Sequence, residues 1–232
     1  MKIDFNELFA GGGMKSTRLL GWALIGLIGL VAAMPVSADK NGETVASMNF
    51  DVYLNDKRVG QHNYEIFDVD GIRQVQSEAK FDYRILFIPA YRYEHSNSER
   101  WSDNCLVGLE ARTNANGKRL QVSGERADGI FRVENGDAPL ELPECVMSFA
   151  YWNSDFLGEP RLLNPQTGEY VDVSVEKVAD EILEVRGEAI PAKRFRLTAY
   201  EMDLTLWYSD DDEWLALESV AKGGHVIRYE LS

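Results

Sequence analysis

The chain has 232 residues, of which 45% are hydrophobic, so it is long enough to bury a substantial core. Its formal net charge is −14 at pH 7, because 38 acidic residues outnumber 24 basic ones. This excess of negative charge argues against nucleic acid and against anionic membrane surfaces as partners, since both recruit basic patches.

The first 38 residues form a predicted export leader. A lysine and an arginine precede an apolar run over 19–34, and small residues end the segment at Ala38. This three-part layout is typical of a secretory signal peptide, so we expect residues 14–38 to be cleaved after Ala38 and the protein to be periplasmic. Residues 1–13 are interpreted as a mis-annotated extension. A genuine long leader and an uncleaved anchor are the alternatives, although the apolar run is shorter than the roughly 20 residues that span a bilayer.

The remaining residues, 39–232, are predicted to form one domain of β-strands joined by short turns. The clearest strand signal runs from Val75 to Phe87, where apolar and polar residues alternate with a period of two. Dipeptides such as Asp70-Gly71 and Asn116-Gly117 indicate hairpin turns. Further strands are predicted at 50–54, 59–67, 91–95, 106–113, 118–125, 129–134, 170–177, 181–187, 192–201, 203–209, 214–221 and 225–231.

One segment departs from this alternation. Between Val146 and Leu157, the residues Phe149, Trp152 and Phe156 have helical spacing, which predicts one short helix. The sequence therefore predicts a mainly all-β fold, either a curled antiparallel sheet or a half-open β-barrel. We expect about ten to twelve strands, with the helix packed against them. Asn164 to Gly168 contains Asn-Pro and Gly and is interpreted as a turn.

The chain has two cysteines, Cys105 and Cys145, and both lie in the part predicted to be exported. In an oxidising compartment such a pair predicts a disulfide, and two buried free thiols are the alternative.

The sequence contains no recognisable catalytic motif. It has no Gly-x-Ser-x-Gly elbow, and its three histidines lack the spacing of a metal site, so we expect no metal and no cofactor. A hydrolase assembled from several strands is the least favoured hypothesis. It would need a buried polar cluster, and Glu94, His95, Glu99 and Arg100 are the first residues to consider.

The positive candidate for a site is an apolar stripe of large side chains on two adjoining strands. In a closed barrel this stripe fills the core, whereas in a wider barrel it lines a cavity for an apolar ligand. The predicted helix would then plug the opening. The residues assigned to ligand binding are Phe81, Tyr83, Ile85, Phe87, Tyr91 and Tyr93.

Five segments resemble a bacterial family of exported proteins of unknown function. They are FDVYLNDKRVGQHNYEIF (50–67), IPAYRYEHSNSERW (88–101), FAYWN (149–153), LLNPQTGEY (162–170) and LWYSDDDEWLALES (206–219). The architecture that this resemblance implies is similar to half-barrel carriers such as the lipoprotein-localisation factors, in which a curled sheet wraps a helix over an apolar cavity.

The first hypothesis is therefore a non-enzymatic periplasmic carrier of an apolar molecule, such as an acyl chain or a lipid. The alternative is an envelope protein–protein interaction module with a filled core. After cleavage of the leader we expect no membrane span, and the sequence does not identify a protein partner.

Overall fold

A computed structural model describes residues 43–85, 88–200, 202–220 and 224–232. The predicted signal peptide and the extension before it lie outside the described residues, so both remain predictions. The strands, in chain order, are β1 Glu43–Leu54, β2 Lys57–Val69, β3 Ile72–Ile85, β4 Ile88–Ser102, β5 Cys105–Ala115, β6 Lys118–Ala127, β7 Ile130–Glu134, β8 Leu140–Pro143, β9 Arg161–Leu163, β10 Tyr170–Asp172, β11 Ser174–Val185, β12 Glu188–Ala199, β13 Met202–Ser209, β14 Trp214–Val220 and β15 Val226–Leu231.

Thirteen of these strands form one antiparallel sheet in the order β11-β12-β13-β14-β15-β1-β2-β3-β4-β5-β6-β7-β8, and β9 pairs with β10 separately. Strands β11 and β8 stand at the two ends of this order, so the sheet is not closed into a barrel. The all-β prediction is confirmed, but the predicted strand number was too low. Strands β8 and β9 were missed because four and three residues are too few to show alternation.

Two-residue turns join most neighbouring strands. Asp70 and Gly71 connect β2 to β3 with positive φ at both positions (51° and 78°), and Asn116 and Gly117 connect β5 to β6 in the same way (51° and 94°). Two successive positive φ values define the type I′ turn, whose twist matches that of the paired strands. The turn chemistry read from the sequence is therefore confirmed at these hairpins.

The predicted short helix is confirmed in part, because the one helix among the described residues occupies only the C-terminal end of the predicted segment. The structure contains a five-residue 3-10 helix, Ser154–Gly158, whose first turn is capped by the side chain of Asn153. The preceding residues from Val146 to Tyr151 lack helix and are all buried. Because this stretch is enclosed on all sides, its apolar residues need no helical period, and their spacing misled the prediction.

Residues 146–168 form a plug that lies against the inner face of the sheet. The backbone N–H of Leu106 in β5 donates to Val146 O (3.0 Å), which fixes the start of the plug beside that strand. Further along, the Tyr208 hydroxyl of β13 donates to the carbonyl of Tyr151 (2.8 Å). Since β5 and β13 are far apart in the sheet order, the plug spans the hollow between them.

The centre of the core is aromatic. The rings of Phe50 and Trp214 lie 4.0 Å apart, and Tyr151 of the plug lies 5.3 Å from Trp214. All three residues are buried, so strands from the middle of the sheet and the plug share one core. In the described part of the chain, no helix has the length and apolar character needed to cross a bilayer.

Candidate functional site

The predicted apolar stripe exists, and the structure brings its described members together. Phe81 lies directly across from Tyr93, with their rings stacked 5.1 Å apart, and Tyr83 lies across from Tyr91. Phe81, Tyr91 and Tyr93 are buried, whereas Tyr83 is partly exposed. Ile85 is the last residue of β3, and no side-chain position is described for it.

These side chains pack as core in the described structure. The cavity that borders Phe81, Tyr83 and Tyr91 measures about 10 Å³, which is near the least volume that one water molecule needs. Phe87 lies outside the described residues, so its predicted contribution is not described. Binding of an apolar ligand at this stripe stays a prediction, and it would require these side chains or the plug to move.

The four residues that the sequence suggested as a possible catalytic cluster do not share one face of the sheet. His95 and Glu99 are buried on the inner face, while Glu94 and Arg100 are exposed on the outer face. Alternation along β4 produces this division, because residues four apart share a face and adjacent residues do not. Arg100 forms an ion pair with Glu125 at 2.6 Å.

Polar and small residues on the inner face lie opposite one another on neighbouring strands, in two rows. His62, Ala79 and His95 are opposite one another on β2, β3 and β4, and the next row contains Ser77 and Asn97. The small side chains of Ala79 and Ser77 leave space above β3. The plug covers that space, and the result is an internal chamber of about 20 Å³. The chamber is lined by His62, Tyr64, Val75, Ser77, His95, Asn97, Glu99, Phe149, Ala150, Tyr151, Trp152, Pro165 and Gln166.

Glu99 is the one carboxyl group in this lining, and it is almost fully buried. Its oxygens accept hydrogen bonds from the Ser148 hydroxyl (2.8 Å) and from the Trp101 indole N–H (3.1 Å). Burial raises the pKa of Glu99, and the side chains of Asn97, Ser148, Trp101 and Trp152 oppose that rise.

The two histidines of the chamber are held neutral. Burial lowers the pKa of His95 to about 4 and lowers the pKa of His62 well below its ordinary value. His95 Nδ1 lies 2.8 Å from the Thr113 hydroxyl, whereas neither ring nitrogen of His62 has a hydrogen-bond partner in the part of the chain that the structure describes. Within the described residues, no three His, Cys, Asp or Glu side chains are placed to share a metal ion. The chamber is therefore suited to binding a neutral polar group.

The sequence-based interpretation missed His62, Asn97 and Gln166 as members of the chamber. A signal was available for His62, because it alternates with Tyr64 and Ile66 on the apolar side of β2. Gln166 could not be placed in this way, since it belongs to the turn from Asn164 to Gly168. That turn is confirmed, but it is buried, and Gln166 accepts a hydrogen bond from the Tyr93 hydroxyl (3.2 Å).

Two larger volumes lie at the surface. A groove of about 620 Å³ crosses the outer face of β3 to β6. A cleft of about 310 Å³ lies near the turns that join β2 to β3 and β4 to β5. It is lined by Asp68, Gly71, Arg73, Trp101, Asp103, Asn104 and Trp152.

Residues 50–232 match the model of a family described as a domain of unknown function, DUF6134. The chain belongs to this family. Comparison with curated proteins gave no match. Among solved structures, the chain is similar to the crystal structure of a β-barrel-like protein of another domain of unknown function, DUF1849, from Brucella abortus. The TM-score is 0.59 at 10% identity, covering 80% of this chain and 95% of that chain. The predicted membership of a family of unknown function with barrel-like architecture is confirmed, and a likeness at this identity shows the fold alone.

Proposed function

We propose that the protein is an exported binding protein that recognises a protein partner at its outer surface, and that its sheet is filled by its own chain. The observation that carries this proposal is the plug. Its residues contact inward-facing side chains on strands as far apart in the sheet as β4 and β14. The two internal cavities described above measure only about 10 and 20 Å³. Pockets that hold small molecules typically have about 300 Å³ or more.

Export is supported by the leader-like sequence of residues 14–38. The Cys105–Cys145 disulfide is compatible with an oxidising compartment such as the periplasm.

The outer groove on β3 to β6 is the surface that we assign to the partner. Two cross-strand rows of exposed or half-exposed polar side chains form its floor. One row is Lys80, Glu94, Asn114 and Arg119, and the other is Glu78, Ser96, Arg112 and Gln121.

The charges of the groove indicate the chemistry of the partner. Lys80 forms an ion pair with Glu78 (3.0 Å), whereas in the described part of the chain Arg112 and Arg119 form none. Two unpaired guanidinium groups stand out on a chain whose net charge is −14. Guanidinium groups bind carboxylates in a planar, bidentate way, so the proposed partner presents an acidic segment to this groove.

Charge reversal combined with site-specific photo-crosslinking in cells tests the proposal. A photoreactive amino acid replaces Gln121 in the groove or, as a control, exposed Glu188 at the start of β12. We expect a discrete protein adduct from Gln121 only, and we expect Arg112→Glu with Arg119→Glu to abolish it.

The matched control reverses the same number of charges at Lys57 and Arg186, which lie at hairpin turns away from the groove. Lys57 donates to the carbonyl of Arg84, and Arg186 donates to the main-chain oxygen of Ser232. Equal crosslinking at both positions, no adduct in the groove, or an adduct unaffected by charge reversal in the groove would each contradict the proposal.

A further inference from the structure

Four buried polar atoms in the lining of the internal chamber have no hydrogen-bond partner among the described residues. They are both ring nitrogens of His62, Oδ1 of Asn97 and the indole Nε1 of Trp152. The Trp152 N–H lies close enough to Glu99 to lower the pKa of that carboxyl, yet the pair lacks hydrogen-bond geometry. Leaving a buried polar group unpaired is destabilising, so four such atoms around one cavity indicate a bound polar group.

The identity of the four atoms restricts what can bind. The Trp152 N–H and one nitrogen of neutral His62 are donors, whereas Asn97 Oδ1 and the other His62 nitrogen are acceptors. A cation such as ammonium has no lone pair to accept from the donors, and a carboxylate or halide anion has no proton to give to the acceptors. The group that fits is uncharged and both donates and accepts, as a hydroxyl does, and a volume of about 20 Å³ accommodates it.

Trp152 also lines the surface cleft, so one side chain borders both spaces. Its ring packs edge-to-face on Trp101 with centroids 5.6 Å apart, and the Arg73 guanidinium lies 6.0 Å from its centroid. The cleft, of about 310 Å³, also presents the side chains of Asp103 and Asn104. Its size lies within the range of small-molecule pockets, and it combines part of an indole ring with carboxylate, amide and guanidinium groups.

We propose that the chamber and the cleft form one binding site for a small neutral polyhydroxy compound, such as a saccharide unit. One hydroxyl of the ligand occupies the chamber, where it pairs with His62, Asn97 and the Trp152 indole. The rest of the ligand lies in the cleft against Trp152. A rotation of the Trp152 side chain connects the two spaces. This site is separate from the outer groove, so it does not depend on the proposed protein partner.

A water molecule has the same donor and acceptor chemistry as a ligand hydroxyl. A titration with saccharides distinguishes bound water from a bound ligand. Nitrogen-15 NMR follows the His62 imidazole and the Trp152 indole while glucose, galactose or maltose is added. Tetrahydropyran, which has the ring of a hexose without its hydroxyls, is the matched control ligand. We expect the saccharides to shift both signals in a saturable way and tetrahydropyran to shift neither. Unchanged signals with every saccharide would show that the chamber holds water alone and would overturn the proposal.

Two substitutions test whether the saccharide binds at the chamber and the cleft. Trp152→Phe keeps an aromatic ring and removes the N–H donor, so we expect saccharide binding to weaken about fivefold, the effect of one lost hydrogen bond of about 1 kcal/mol. The matched control is Trp207→Phe, because Trp207 is a half-exposed tryptophan of β13 whose indole N–H donates to Glu181, away from the chamber. His62→Phe should abolish the shift of the Trp152 indole. Equal weakening by Trp207→Phe, or undiminished binding in both chamber variants, would contradict the assignment.

Discussion

Removing the Cys105–Cys145 disulfide should lower the stability of the protein and loosen the start of the plug. The bond closes a loop of sequence separation 40, which contains β5, β6, β7 and β8. Cys145 directly precedes Val146, whose carbonyl accepts the hydrogen bond from Leu106 N (3.0 Å). The bond therefore holds the plug entrance beside β5 while also restricting the unfolded chain.

The size of the effect follows from the loop. In the chain-entropy relation, closing a loop of this length removes about 13 cal/mol/K of unfolded-state entropy, or about 4 kcal/mol at 25 °C. With an unfolding entropy of about 2.1 cal/mol/K per residue, a domain of this size should lose about 10 °C in Tm.

The assay is urea unfolding of the wild type and of the Cys105→Ser/Cys145→Ser variant, followed by tryptophan fluorescence. Wild type in the presence of a reductant is the control, because it keeps both sulfur atoms and breaks only the bond. Hydrogen exchange at the amide of Leu106 reports on the plug entrance. A loss below about 1 kcal/mol, with the Leu106 amide still fully protected, would refute the chain-entropy reasoning and the anchoring role of the bond.

Three further predictions concern the inner face. Since burial keeps His62 and His95 unprotonated in the folded state, their contribution to stability is complete above pH 6.5 and is lost as the pH falls towards about 4. His95 alone should contribute about 3 kcal/mol to the free energy of unfolding. Denaturant midpoints that stay constant as the pH falls through this range would contradict the prediction. Gly60→Ala should prevent normal pairing of β2 with β3, because an added Cβ would collide with the Lys80 backbone. An unchanged circular dichroism spectrum and an unchanged Tm would count against this prediction. Glu99→Ala should destabilise by about 3–5 kcal/mol by leaving its buried donors unpaired, whereas Glu99→Gln should be much milder; equal urea midpoints for the two variants would contradict this account.

Local patterns predicted the sheet, because alternation is visible within single strands. The run from Val75 to Phe87 identified the inner face of β3, and the cysteine pair predicted the disulfide, which is confirmed. The burial of Phe81, Tyr91 and Tyr93 follows from the same alternation. Whether an apolar stripe lines a cavity or fills a core depends on what lies opposite, and a strand pattern carries no such information.

The plug and the chamber depend on contacts between segments that are distant in sequence. Helical spacing at Phe149, Trp152 and Phe156 favoured a helix, but burial on all sides, rather than one exposed face, determined the conformation of the segment. Likewise, the lack of partners around His62 results from the register of β2, β3 and β4 and from the plug above Ala79. The strand pattern places His62 on the inner face, but only the assembled sheet and plug leave it unpaired.

The central claim is that the chain fills its own sheet, so that the protein partner is recognised at the outer surface. Native mass spectrometry of the protein purified without detergent from the cells that produce it tests this claim most directly, together with organic extraction of the same sample. The account predicts no acyl or lipid adduct in the mass spectrum and no stoichiometric lipid in the extract. An acyl or lipid adduct of one molecule per chain, whose removal lowers the Tm, would contradict it and would support a carrier.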